Sequence, residues 1–205
     1  SLVVNSIIHS TQSKLIERVI VSTEDDEIAE DSRSHGAEVF ARPSELAGDD
    51  VLDWPVFYNV LEELEKEGNI PEIIVHLRPT APYRKISWID EAIQLLIDNY
   101  KADSVRSVSP PNCHPYRVFR INNDGYLESI MSHVHPESYS LRRQDLPQLY
   151  HYNCVIDVTR YETIVKKKSM TGSKMLPYIM NENDVIDIDS PHDLKIAKAL
   201  FERPR

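Results

Sequence analysis

Residues 185–189 read Val-Ile-Asp-Ile-Asp, directly before a stretch opened by Ser190, Pro191 and Asp193. On a strand, residues two apart face the same way, so Asp187 and Asp189 are expected to project together while Ile186 and Ile188 turn to the core. Two neighbouring carboxylates repel unless a cation lies between them. Magnesium, held by one or two carboxylates plus substrate phosphates, suits such a pair. The alternative is that Asp189 only helps end the strand and Asp187 is solvated. Asp193 is assigned to the helix cap, not to metal.

Arginines supply the second kind of chemistry. LRPTAPYR (residues 77–84) follows an apolar run, its prolines stiffen the backbone, and Arg78 and Arg84 could grip an anion in bidentate fashion. A stiff turn with surface arginines is the plainer alternative. ARPSELAGDD (41–50) is a similar loop, in which Arg42 sits where a nucleotide could lie or is simply solvated. Arg117, Arg142 and Arg143 are concentrated in an irregular region rich in Pro, His and Tyr, either to recognise a carboxylate or phosphate or as a basic rim without a ligand. His133 and His135 are two apart with no third ligand nearby and are expected to be exposed loop residues. Cys154 is expected to be a small core residue rather than a nucleophile.

Elements that could carry these groups alternate. Helices are expected at 2–15, 24–36, 56–68, and after the cap patterns Ser87/Asp90, Thr159/Glu162 and Ser190/Asp193. Strands are expected at 18–22, 37–41, 71–77, 103–108, 116–121, 153–158 and 185–189, with a hairpin turn at NNDG (122–125). This order predicts an α/β fold with a mostly parallel sheet and helices on both faces, in which ligands sit beyond the carboxyl ends of strands. The stretch from about 110 to 150 breaks the rhythm and reads as an insertion or β-ribbon.

The chain has 205 residues, 41% of them hydrophobic, which suits one domain with a real core. A net charge of −10 argues against general nucleic-acid binding. No run approaches a membrane span, the first residues lack signal-peptide features, and a cytoplasmic location is the expectation. Cys113 and Cys154 cannot form a disulfide framework.

Together, ERVIVSTEDDEIAE, GAEVFARPSELAGDD, LRPTAPYR, RRQDLPQLYHYN and VIDIDSPHDL resemble, in order, the acylneuraminate cytidylyltransferase family, the CMP-sialic acid synthetases. The resemblance spans about residues 2–200. It implies a Rossmann-like nucleotidyltransferase fold with a β-rich dimerisation insertion, and a homodimer or dimer of dimers. It implies transfer of CMP from CTP to the anomeric hydroxyl of a sialic-acid-like nonulosonic acid, with release of pyrophosphate. By position, Asp187 and Asp189 match the metal pair, and Asp189 also the group that helps activate the sugar hydroxyl. Arg42, with Asp49 of the same loop, matches the nucleotide contacts. Arg78, Arg117, Arg143 and Asn153 match the sugar site. Other sugar nucleotidyltransferases, such as one for 3-deoxy-manno-octulosonate, and a non-catalytic dimerisation remnant are the alternatives.

Four departures from the family pattern stand out. Arg78 replaces a common glutamine and is expected to add positive charge, Asp53 replaces a small hydroxyl residue, Asp157 a frequent tyrosine, and Cys154 a glycine. They suggest a nonulosonic acid other than ordinary N-acetylneuraminic acid. The family's first strand and its A-R-x-G-S-K-type triphosphate loop have no counterpart in the sequence, so a longer biological chain is expected.

Overall fold

The computed structural model describes residues 1–201. The chain opens with α1 (Leu2–Thr11), shorter than the expected 2–15. It leaves the helix because Ser13 Oγ and Lys14 N both donate to the Asp90 carboxylate, at 2.5 and 3.1 Å. Asp90 lies within α4 (Ile86–Asp98), whose first turn has no side-chain cap, so the expected Ser87/Asp90 cap is replaced by this tertiary bond. The Ser190/Asp193 pair does close on itself at the start of α6 (Pro191–Phe201), with Ser190 Oγ accepting from Asp193 N at 3.3 Å.

Strand β1 (Ile20–Thr23) pairs in parallel with β2 (Glu38–Ala41), and α2 (Asp26–Ser34) joins them. Asp25 caps α2 by accepting from Ile28 N at 2.8 Å. A separate sheet runs β3 (Ile73–His76), β7 (His151–Arg160), β4 (Ser104–Ser109), β8 (Met175–Ile179). Strands β3, β4 and β8 share a direction and β7 runs against them, so the mostly parallel α/β arrangement carries one antiparallel strand. Among the described residues, β1 and β3 each keep one edge unpaired. They are nonetheless packed into one core, in which α3 (Asp53–Lys66) and α5 (Tyr161–Val165) bring Leu61, Leu64 and Ile164 against Ile20, Phe40 and Ile74. On the other side, α4 buries Ile89, Ile93 and Leu96 on Val105, Ile156 and Val158.

Residues 185–189 form no ladder, contrary to the strand expected there, because their backbone docks on the loop after β3: Ile188 N donates to Thr80 O at 2.8 Å. Strand β8 was not foreseen, since MLPYI carries a proline; at Pro177 the chain still pairs alongside Arg106. NNDG makes the expected turn, with Gly125 at φ +84°, between β5 (Phe119–Ile121) and β6 (Leu127–Ser129). Thr159 does not cap α5; its hydroxyl donates to Met170 O and accepts from Arg106.

One turn is built around a buried carboxylate. Asp103 Oδ1 takes Lys167 Nζ at 2.5 Å, and Oδ2 takes the backbone N–H groups of Ser173 and Lys174 at 2.9 and 3.1 Å. Lys167 first, then these amides, hold its pKa down to about 2. A depressed carboxylate stabilises the fold above its unfolded pKa and loses that contribution as pH falls toward 2. Unfolding free energy is therefore expected to drop by about 2 kcal/mol between pH 5 and pH 2 through this group. An Asp103→Asn variant, followed by urea titration at each pH, should show a correspondingly flatter profile. Gly172 sits in the same turn at φ +66°, and a Cβ there would overlap the Asp103 carboxylate. Gly172→Ala should accordingly cost about 2 kcal/mol or more in the same measurement.

Candidate active site

The loop after β3 carries the first group. Arg78 Nη2 donates to Asp53 Oδ2 at 2.5 Å, and Asp53 is the first residue of α3. The extra positive charge expected from Arg78 is thus neutralised by Asp53, the second of the departures. Burial pulls the Arg78 pKa down, but Asp53 and Tyr152 outweigh it and the net shift is upward.

Arg84, at the far end of the loop, is turned inward and only 4% exposed. It donates to Val155 O at 2.7 Å, to Ser6 Oγ at 3.1 Å and to Arg78 O. Burial lowers its pKa to about 10, against the pull of Asp157 and Asp187. Arg84 is a staple joining α1, the loop and β7 rather than a ligand-gripping arginine.

Asp187 and Asp189 differ in setting. Asp187 Oδ1 is shut off from solvent with no hydrogen-bond partner, whereas Asp189 is exposed. An ionised oxygen buried without a donor is costly, and a cation is the natural relief. Two carboxylates two residues apart, one with a buried, unpartnered oxygen, are the kind of oxygen donor set that fits magnesium rather than a closed protein cage. Asp187, Arg78 and Asp157 all act electrostatically on Cys154, so each lies within charge range of that thiol. Cys154 stands at φ +59°, a left-handed conformation that glycine adopts freely, and this bends β7 where its register with β4 shifts. Burial pushes its thiol pKa up.

Arg42 is tied to the end of β1: it donates to Ser22 O, and its Nε lies 3.7 Å from Glu24 Oε2. Asp49 is exposed on the following turn. Arg117 and Arg143 are exposed in the region of the β5–β6 ribbon, where Arg117 Nη2 donates to Leu141 O at 3.1 Å. Arg143 lines a cavity of about 440 Å³ with Gln148, Tyr150, Asn181 and Asn183. Asn153 faces inward: it is 4% exposed, its Oδ1 accepts from Val155 N at 3.3 Å, and its Nδ2 reaches Ser109 Oγ at 3.4 Å. His133 and His135 are exposed.

Sequence reasoning did not assign a row of polar groups beneath Arg78. His76, Asp157 and Arg106 are direct neighbours across β3, β7 and β4. Arg106 Nε lies 3.6 Å from Asp157 Oδ1, and Tyr152 donates its hydroxyl to Asp157 Oδ2. Burial lowers the His76 pKa to about 4, with Arg78 adding to it, and the ring packs at a tilt against Phe57, centroids 4.7 Å apart. Burial raises Asp157, while Arg106 and Tyr152 oppose the rise. The available signal was a lone arginine and a lone aspartate, each inside an otherwise apolar or small-residue strand.

The family profile described as "Cytidylyltransferase" matches residues 2–185. "Post-translational flagellin modification protein B" of Campylobacter coli is 27% identical over 203 residues, covering 98% of this chain and 84% of that protein. "CMP-N,N'-diacetyllegionaminic acid synthase" of Campylobacter jejuni is 29% identical, covering 98% and 83%. "N-acylneuraminate cytidylyltransferase" of Escherichia coli is 28% identical, covering 94% of this chain and 44% of that one. Among solved structures, a CMP:2-keto-3-deoxy-manno-octonic acid synthetase complexed with CTP superposes with a TM-score of 0.68 at 13% identity, covering 98% and 87%.

Proposed function

The chain belongs to the cytidylyltransferase family, and we propose that it transfers CMP from CTP to the anomeric hydroxyl of a sialic-acid-like nonulosonic acid. The relatives named for N,N'-diacetyllegionaminic and N-acylneuraminic acids support this substrate class. The observation that carries the proposal is the docking of residues 185–189 on the loop after β3, through Ile188 N and Thr80 O, with a buried, unpartnered Asp187 oxygen on the docked segment.

In the reaction, the anomeric oxygen forms a bond to the α-phosphorus of CTP, the bond from that phosphorus to the bridging oxygen breaks, and pyrophosphate leaves. Asp189, exposed and free to reach a ligand, takes up the hydroxyl proton. Asp187 and Asp189 would hold magnesium, whose chemistry when bound is to offset phosphate charge. Arg42 and Asp49 hold the nucleotide. Arg143, with Arg117, holds the sugar carboxylate at the cavity it lines, and Asn153 lies behind Met180 of that wall, its Nδ2 3.8 Å from the Met180 sulfur. Arg143→Ala is expected to raise the KM for the sugar by about 10²-fold, with little effect on the KM for CTP. Equal changes in both constants would remove Arg143 from the sugar site.

Two further parts belong to the proposal. A homodimer, or a dimer of dimers, forms through the β5–β6 ribbon, where Ile121, Tyr126 and Leu127 are 72%, 72% and 68% exposed. A further strand, leading into a triphosphate loop, lies between the unpaired edges of β1 and β3. An intact mass of the native protein well above 23.6 kDa supports that strand. Its absence would favour the non-catalytic remnant. Among the described residues no helix is long and apolar enough to cross a membrane, and a cytoplasmic enzyme, working where CTP is made, is the proposed setting.

A further inference from the structure

Strands β4 and β8 run side by side in one direction, and a cavity lies at each end of the pair. The cavity that Arg143 lines takes in Pro110, just after β4, and Ile179, the last residue of β8. A second cavity, of about 370 Å³, takes in Ala102, just before β4, and Met175, the first residue of β8. Four strand steps, about 13 Å, separate Met175 from Ile179. Strand β3 runs the same way, so the loop after it, with residues 185–189 docked there, also lies at the other end of the sheet. The second cavity is therefore apart from the site described above.

Its walls carry three kinds of group. Tyr100 and Met175 are 77% and 54% exposed, and with Leu176 they offer the apolar surfaces against which a flat ring packs. Lys101 and Lys174 supply two ammonium groups. The lysine ion pairs among the described residues use Lys66, Lys166 and Lys167, so these two have no carboxylate partner there. Lys101 Nζ lies 5.6 Å from the centroid of the Tyr100 ring. Asp98 adds one carboxylate, whose Oδ1 takes Gln94 Nε2 at 2.7 Å, leaving capacity to accept from a hydroxyl. Lysines near a helix C-terminus often serve only its carbonyls. At the end of α4 that role falls to Arg160, which donates to Leu96 O at 2.6 Å and to Ala102 O at 2.9 Å. The backbone beneath is fixed as well: Lys174 N donates to Asp103 Oδ2 at 3.1 Å, and Lys174 O accepts from Asp103 N at 2.8 Å.

We propose that this cavity is a second ligand site, for a nucleoside monophosphate: the base packs on Tyr100 and Met175, the phosphate lies between Lys101 and Lys174, and a ribose hydroxyl donates to Asp98. Two ammonium groups against one carboxylate suit a single phosphate. The volume lies at the lower end of the range of about 300–1,000 Å³ in which small-molecule sites fall, which also suits a mononucleotide. The surfaces offered to the base are apolar and read its face rather than its edge, so the site takes purine and pyrimidine alike.

The test is equilibrium dialysis of the full chain against AMP, with adenosine and inorganic phosphate as separate arms. AMP carries base, ribose and phosphate but not the cytosine of CTP. The wild-type protein should bind one AMP per chain, and adenosine or phosphate at least about tenfold more weakly. Tyr100→Ala and the double variant Lys101→Gln/Lys174→Gln should each weaken AMP binding at least about tenfold. Their thermal melts should match the parent, and turnover of CTP should stay within about twofold. No AMP bound at millimolar concentration, binding unchanged in both variants, or phosphate bound as tightly as AMP would overturn the proposal. So would loss of turnover together with AMP binding, which would put AMP in the catalytic site. Dialysis reads this site without any turnover, so a wild-type protein that binds AMP yet is inactive with every acid would remove only the functional proposal above.

Discussion

Asp189→Asn is expected to lower the turnover of CMP transfer by about 10³-fold or more while the melting temperature moves by no more than about 2 °C. Asp189 is exposed, and the amide matches its shape, so the fold loses nothing. What is lost is a charge that helps hold a cation and takes up the hydroxyl proton. Asp187→Asn should behave the same way in turnover but differently in stability. Its Oδ1 is buried without a partner, and replacing a buried, unpartnered carboxylate by a neutral amide removes a desolvation cost. That variant should therefore be as stable as the parent or more so, and inactive. A site that is strained until its ligand arrives gives this combination. Retained activity in both variants would remove the pair from the active centre.

The second large effect is structural. Arg84→Met should destabilise the protein by about 3 kcal/mol and raise the KM for both substrates. The arginine meets three acceptors on three segments: Ser6 in α1, Arg78 O in the loop and Val155 O in β7. A methionine fills much of the same volume but removes the donors to Val155 O and Ser6 Oγ and leaves Arg78 O with the Ala81 amide. The loop it holds carries Arg78 and accepts the backbone of Ile188, so its loosening would reach both halves of the site at once. Urea midpoints check the first part and kinetics the second. Stability within about 1 kcal/mol of the parent would show that Arg84 is not the staple described here.

Much of the frame was legible because it rests on short-range signals. Gly36 and Gly68 stop helices at φ +90° and +76°, and NNDG turns the ribbon. Each acts within a few residues. The departures from the expected elements come from partners far away in the chain. Asp90 has the spacing of a local cap with Ser87, yet it receives Ser13 and Lys14 from seventy-odd residues earlier. Residues 185–189 alternate like a strand, yet their backbone bond goes to Thr80, and no strand edge receives them.

The site shows the same division. Residues on loops, such as Arg42, Arg78 and Arg143, announced themselves by type and setting. Arg106 did not, and Asp157 stood out only as a departure from the family pattern, because their meaning lies in a register that places them side by side on β7 and β4. Arg84 looked like Arg78 in sequence, and only its 4% exposure separates a structural arginine from a candidate ligand-binding one. The glycine-like demand at Cys154 was visible as an odd residue, and its φ of +59° gives the physical content.

The most direct test of the functional account is pyrophosphate release by the full protein with CTP and a panel of nonulosonic acids, with magnesium and with a chelator. The account predicts release that depends on CTP, on one or more N-acylated nonulosonic acids and on the metal, with a CMP-sugar as the co-product. Release with 3-deoxy-manno-octulosonate alone, or none with any acid in the presence of magnesium, would contradict it.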